Sequence, residues 1–339
     1  MILNIVINTD NKYMQHAAAM VCSLFENNRN HHVVLHIMSG DLNQENKAFF
    51  ENLSSKYENE CRFYAMDNSV LKGVKFRKNR PLSYAAYYRL LMSSTLDNSI
   101  SKVLYLDCDM IVLGDLSELF KLEIDEYAVA ATLDNTPCSD LHRRQLHLQV
   151  GAKTFCSGIM MVNLNYWREH NVEPLLLEYA KRDREQVIYH DQDAFNYVFK
   201  DKWFLLPPKW NRYAYSNRLP KDVEIRQYDR YEYLRTPKVL HFAELDIKPW
   251  MDCISANKTK YIKYLTLSEF PSPKYDKVSF WLSLKSFIGL ILFNYELYVK
   301  PYLPKFIIMI LDDLKFLIKL VVAIINGKVK DFTILRENY

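Results

Sequence analysis

Val103-Leu-Tyr-Leu-Asp107-Cys-Asp109-Met-Ile-Val112 is the stretch on which the reading of this chain turns. Its apolar first half has the composition of a buried strand. That strand runs directly into two carboxylates one residue apart. In extended chain, residues i and i+2 face the same side, so Asp107 and Asp109 converge. Two like charges so close require a compensating cation. Carboxylate oxygens suit Mg²⁺ or Mn²⁺, hard ions that keep positions open for phosphate oxygens. A metal bridging a diphosphate neutralises charge on a departing nucleoside diphosphate. Without a metal, the same string reads as a strand end leading into an acidic turn.

Outward from this stretch the chain alternates between strand and helix. Residues 2–8 are a short apolar run ending in Asn8-Thr9-Asp10, and a helical pattern follows to about Asn27. Residues 33–38 read as a second strand, 43–58 as a polar helix and 61–66 as a third strand. Tyr84–Met92 reads as a helix, and Ile111-Val112-Leu113 continues extended after the two acids. Residues 127–133 and 159–164 are further strands, while 200–250, rich in Pro, Trp, Tyr and Arg, reads as loop-dominated, with an apolar strand at Val239-Leu240 before His241. Such alternation at short spacing indicates parallel β-α-β units in an α/β sheet. Ligands of these sheets bind beyond the carboxyl ends of the strands, where Asn8, Thr9 and Asp10 lie.

Composition narrows the chemistry. Among 339 residues there are only 7 Gly but 24 Tyr and 18 Phe, which argues against a glycine-rich nucleotide loop. The six cysteines, at 22, 61, 108, 138, 156 and 253, form no Cys-x-x-Cys pair, so neither a zinc site nor a disulfide framework is expected. The start lacks a charged n-region, which predicts a first strand rather than a signal peptide and a cytoplasmic protein. Net charge is +4, all of it accounted for by residues 274–339, where ten Lys and Arg meet six Asp and Glu. A local excess suggests an interaction surface, not a nucleic-acid field.

After Pro271-Ser-Pro273 the character changes, giving expected domains at 1–265 and 274–339. Residues 279–299 and 305–326 are apolar with scattered lysines. The second run sets Lys305, Asp312, Lys315, Lys319 and Asn326 on one stripe at helical period. Charges interrupt both runs before about 18 apolar residues accumulate, so they read as amphipathic helices lying on a membrane surface or packing on a partner or second subunit.

Ordered motifs then carry a resemblance. They are Asn8-Thr9-Asp10-Asn11-Lys12-Tyr13, Tyr87-Tyr88-Arg89-Leu90, Leu104-Tyr105-Leu106-Asp107-Cys108-Asp109, Ser157-Gly158 through Asn163-Leu164, His190-Asp191-Gln192-Asp193, and His241-Phe242-Ala243 leading to Lys248-Pro249-Trp250. Over residues 1–250 the chain resembles glycosyltransferase family 8, which includes bacterial lipopolysaccharide galactosyl- and glucosyltransferases and glycogenin. The resemblance implies an α/β GT-A fold, a Rossmann-like mixed sheet with flanking helices. It also implies a UDP-sugar donor with Mn²⁺ or Mg²⁺, and retained stereochemistry in transfer of galactose or glucose to a glycan or glycolipid.

By the same resemblance, Asn8, Thr9, Asp10 and Tyr13 hold uridine, Tyr13 by stacking, and Arg89 contacts the donor sugar or diphosphate. His241 is the third metal ligand beside Asp107 and Asp109, and Lys248 pairs with the diphosphate. Cys108, Cys156 and Ser157 fall in the donor-binding motifs. Asp191 bonds sugar hydroxyls, while Gln192 lies near the anomeric carbon; Asp191 read alone would be a helix N-cap. An amide is a poor nucleophile, so a front-face, oxocarbenium-like displacement is the expected route. The chain departs from the family pattern at Cys156, a thiol where an amide is usual, and at Ala243-Glu244, where a glycine is usual.

Two other readings fit part of the motif set. Phosphatases of the haloacid dehalogenase type also place Asp-x-Asp after an apolar strand, but on the first strand of the core and with a later Lys and acidic pair that this chain does not offer. A catalytically silent sugar-nucleotide binder would not need the set Asp107, Asp109, Asp191, Gln192, His241 and Lys248.

Overall fold

The computed structural model describes residues 1–77, 83–134, 138–183, 187–214, 232–244, 248–251 and 257–276, with 303, 304, 307, 308, 310–312 and 314 near the C-terminus. Ten strands lie in the described residues: β1 (Ile2–Asn8), β2 (His32–Ser39), β3 (Glu60–Ala65), β4 (Lys102–Leu106), β5 (Met110–Val112), β6 (Val129–Leu133), β7 (Phe155–Asn163), β8 (Trp203–Leu205), β9 (Arg212–Tyr213) and β10 (Val239–His241). Seven form a mixed sheet in the order β3-β2-β1-β4-β7-β6-β8. Strand β4 runs parallel to β1, and β7 lies antiparallel between β4 and β6. A second sheet, β5-β10-β9, pairs β10 antiparallel to β5.

The sheet is covered on both faces because its strands alternate between two cores. Leu3, Ile5 and Ile7 of β1, with Leu104 and Leu106 of β4, join the core formed with helix α1 (Met14–Glu26). Val6, Val103 and Tyr105 point the other way, into the core that holds Tyr87, Trp167 and Phe195. The period-two alternation sorts every other side chain to each face. Small residues Ala17, Ala18 and Ala19 bury completely on α1 and let the helix lie close to its neighbours.

Three local expectations are corrected. The segment Tyr84–Leu91 is a 3-10 helix and only Met92–Thr95 is α-helical. Its tighter winding accompanies consecutive Tyr87, Tyr88 and Arg89 reaching Lys75 O, Asn68 Oδ1 and Asp107 Oδ1. The run 159–164 begins earlier, at Phe155, so that all nine residues of β7 are buried. Within the loop-dominated 200–250, the strand read at Val239-Leu240 is β10, and two further short strands, β8 and β9, replace loop.

The chain divides into two compact units, Met1–Lys277 and Val278–Tyr339. The first extends beyond residue 265: helix α5 (Lys258–Leu267) packs on α1, and Gln15 bonds the backbone of Lys274. (Helices α2, Gln44–Lys56, α3, Val172–Lys181, and α4, Asp191–Val198, lie between.) The expected helix at 279–299 lies outside the described residues, as does most of 305–326. The described part of that second run is helical, with Ile310 and Leu314 exposed. No helix among the described residues is long and apolar enough to cross a membrane.

A histidine ties the three parallel strands β1, β2 and β3. His36 is fully buried; its Nε2 donates to Asn4 Oδ1 at 3.1 Å, and its Nδ1 accepts the Tyr64 hydroxyl at 2.9 Å. Burial, with the nearby Arg62 charge, lowers its pKa to about 4. The unfolded chain therefore binds more protons than the folded one between about pH 6.5 and 4. Stability should fall as pH drops through that window, by up to roughly 1.4 kcal/mol per pH unit for this ring. Urea unfolding midpoints measured across it should show a shallower slope in His36→Gln.

Candidate active site

One end of the large sheet gathers the carboxyl ends of β1, β4 and β6 and the amino end of the reversed strand β7. There, with the end of β10 and the start of α4, a cavity of about 810 Å³ opens. Asn8, Thr9, Asp10, Tyr13, Arg89, Asp107, Cys108, Asp109, Cys156, Ser157, Asp191, Gln192, His241 and Lys248 all line it. Residues separated by 240 positions are thus brought to one place.

Asp107, Asp109 and His241 each offer a ligand atom within 4.8 Å of the others, a group that could hold a metal ion. His241 arrives through the second sheet. It pairs with Met110, and the Phe242 N–H donates to Asp109 O at 3.0 Å. His241 Nε2 stands 3.3 Å from Asp109 Oδ1 and 3.9 Å from Asp107 Oδ2. Its Nδ1 donates to Asn211 Oδ1 at 3.0 Å, which turns Nε2 toward the carboxylates, the usual outer-shell support of a ligating imidazole. Asp109 Oδ1 is buried and makes no hydrogen bond among the described residues. Two carboxylates and an imidazole nitrogen, with one carboxylate oxygen buried, fit a divalent cation.

The charges account for the ionisation. Burial would lower His241, but the Asp109 carboxylate outweighs it and raises the pKa to about 10. Burial opposes ionisation of Asp109, yet Lys248 and His241 hold it well below the usual carboxylate range. Asp107 is raised, chiefly by burial, against the pull of Arg89.

Arg89, expected to contact the donor, is engaged by other residues of the protein. Its buried guanidinium binds Asp191 through Nε, and Nη1 donates to Asp107 Oδ1 and Ser157 O, each at 2.9 Å. It also lies 4.9 Å over the Tyr105 ring, whose hydroxyl donates to Asp107 Oδ1 at 2.8 Å. Arg89 thereby joins the carboxylate on β4 to the carboxylate that opens α4. Asp191 is accordingly no N-cap: it is the first residue of α4, and its carboxylate is turned to Arg89. Lys248 Nζ donates to Asp109 Oδ2 at 2.7 Å and to Phe242 O at 2.5 Å.

Cys108 lines the cavity, but its sulfur turns to the carbonyl of Asn8 at 3.2 Å, away from its acidic neighbours. The Cys156 sulfur lies 3.9 Å from His241 Nδ1. Both polar atoms of the Asn8 amide are buried without a hydrogen bond among the described residues. Asp10 Oδ1 accepts the Tyr13 N–H at 2.9 Å, and the Tyr13 ring packs edge-on against His16 and Trp250.

Two residues of the site, Asp134 and Gly158, gain their meaning from the structure. Gln192 is held at both ends: Oε1 accepts the Ser157 N–H at 3.0 Å, and Nε2 donates to Asp134 Oδ2 at 2.7 Å. Asp134 follows β6 as Asp107 follows β4, and that acid after an apolar run was its signal in the sequence. Gly158 is the second. A Cβ there would lie 2.5 Å from His241 Cε1 and 2.8 Å from Asp107 Oδ2, so any side chain separates the metal-ligand candidates.

This fold is the GT-A fold. Among solved structures, the galactosyltransferase LgtC in complex with donor and acceptor sugar analogs superposes with a TM-score of 0.70 at 20% identity, over 84% of this chain and 100% of that one. The model of "Glycosyl transferase family 8" matches residues 4–253, and the chain belongs to that family. It is 31% identical to general stress protein A of Bacillus subtilis (strain 168), over 74% of this chain and 87% of that protein. To the lipopolysaccharide 1,2-glucosyltransferase of Escherichia coli it is 26% identical, over 77% and 76%. Membership sets aside the phosphatase reading.

Gly158→Ala should keep the fold, read by circular dichroism, yet weaken Mn²⁺ binding by calorimetry at least about tenfold, as displaced ligand geometry does.

Proposed function

We propose that this glycosyltransferase moves a hexose, galactose or glucose, from a UDP-sugar to a hydroxyl of a glycan or glycolipid, with retained configuration. The observation that carries the reading is the Asp107–Asp109–His241 cluster with Lys248 beside it, in a cavity that also holds the unpartnered amide of Asn8.

Asn8, Thr9, Asp10 and Tyr13 would seat uridine at the end of β1. Asp107, Asp109 and His241 would hold Mn²⁺ or Mg²⁺, which when bound supplies positive charge against the diphosphate as UDP departs. Lys248 exchanges its bond to Asp109 for a diphosphate oxygen and adds a second positive charge there. Asp191, fixed by Arg89, orients sugar hydroxyls. Gln192 sets its amide near the anomeric carbon, with Asp134 and Ser157 fixing its direction. An amide so tied is a poor nucleophile, which favours front-face displacement with the leaving phosphate accepting the acceptor's proton.

UDP release from a panel of UDP-sugars should require Mn²⁺ or Mg²⁺ and occur with one sugar preferentially. In Asp109→Asn it should fall by roughly a hundredfold or more. Release independent of metal, or undiminished in the variant, would contradict the assignment.

The relatives that act on lipopolysaccharide favour an acceptor on a lipid-linked carrier at the cytoplasmic face of the membrane. The basic, apolar C-terminal unit would hold the enzyme at that anionic surface. In vesicle flotation, the full chain should rise with anionic liposomes and a chain ending at Lys277 should stay below. Equal partitioning would assign residues 278–339 to subunit packing instead.

A further inference from the structure

Glu244, three residues after His241, is a carboxylate with no role in the chemistry above. Glu244 lines the same cavity as the metal-ligand candidates. Its Oε2 is buried and makes no hydrogen bond among the described residues. A buried carboxylate oxygen without a donor is costly, and sites tolerate it where a ligand supplies the donor. The cationic side chains of His241 and Lys248 are engaged by Asp109, at 3.3 Å and 2.7 Å.

The partner is not a phosphate, because a carboxylate repels one. Glu244 also lies outside the group Asp107, Asp109 and His241 whose ligand atoms lie within 4.8 Å of one another. Besides phosphate, a UDP-hexose and a glycan acceptor bring ring hydroxyls. A carboxylate is acceptor-only, with two oxygens spaced to take hydrogen bonds from neighbouring hydroxyls. We propose that Glu244 is a specificity-determining residue that accepts hydrogen bonds from hydroxyls of a hexose ring seated beside the diphosphate. The inference rests on the reading of the cavity as a UDP-sugar site. The ring belongs either to the donor or to the acceptor, and the chemistry is the same for both.

Calorimetry with Mn²⁺ separates these. UDP, UDP-glucose and UDP-galactose are titrated into the native protein, Glu244→Gln and Glu244→Asp. UDP release is then measured with methyl glucosides and methyl galactosides as acceptors. Loss of a charged hydrogen bond should weaken the sugar-dependent quantity about tenfold or more in Glu244→Gln, while UDP affinity stays within about twofold. Weaker UDP-hexose binding assigns the donor ring. Unchanged donor binding with depressed glycoside-stimulated release assigns the acceptor ring. Glu244→Asp, which keeps the charge, should recover part of the loss. The proposal is overturned if every sugar-dependent quantity is unchanged in Glu244→Gln, or if UDP is weakened as much as UDP-hexose. Native protein that binds no UDP would remove the sugar-nucleotide reading, and this inference with it.

Discussion

Three carboxylates, half-buried Asp107 and Asp109 and buried Asp191, share one cavity, and the surrounding structure is organised by the need to balance them. Water solvates them only in part there, and each takes a cationic partner from another part of the chain. Arg89 serves Asp107 and Asp191, while Lys248 and His241 serve Asp109. An uncompensated buried charge costs about 3–5 kcal/mol, a large part of a domain's stability. The cluster is therefore both the candidate chemical centre and a constraint on how the first unit folds.

That constraint explains features that look unrelated. The second sheet is small, three short strands, yet its β5-β10 pair sets His241 beside Asp109 across more than 130 positions of sequence. Gly158 lies on a strand whose other residues are mostly large, because the imidazole and the Asp107 carboxylate occupy the volume a Cβ would need. The 3-10 segment that carries Arg89 is wound more tightly than an α-helix, and its side chains are fixed to Lys75, Asn68, Asp107, Asp191 and Ser157. The α4 helix begins with an acid that serves Arg89 and leaves the backbone uncapped by its own side chain. In each case local preference yields to a long-range polar contact.

The same logic separates what can be read along the chain from what cannot. Apolar runs of period two, turns between them and two acids after a buried strand are local signals, and they specify an α/β sheet with its ligands at the strand ends. The family motifs add further polar residues in order. The details that escaped are those in which a side chain answers to a distant atom. Tyr84–Leu91 has a helical pattern but not an α-helical winding. Cys108 sits between two site acids yet faces the backbone of Asn8. Asp134 has only its place after a strand to mark it, and its meaning comes from Gln192.

By itself the sequence determined the α/β class, the strand that presents Asp107 and Asp109, and the set of polar residues around them, because hydrophobic period and motif spacing act over a few residues. Only the tertiary structure decided which cation meets which carboxylate, which sulfur faces away, why residue 158 has no side chain and which acid steadies Gln192. Those are distances between atoms far apart in the chain, and they are set by strand order and by the pairing of buried charge.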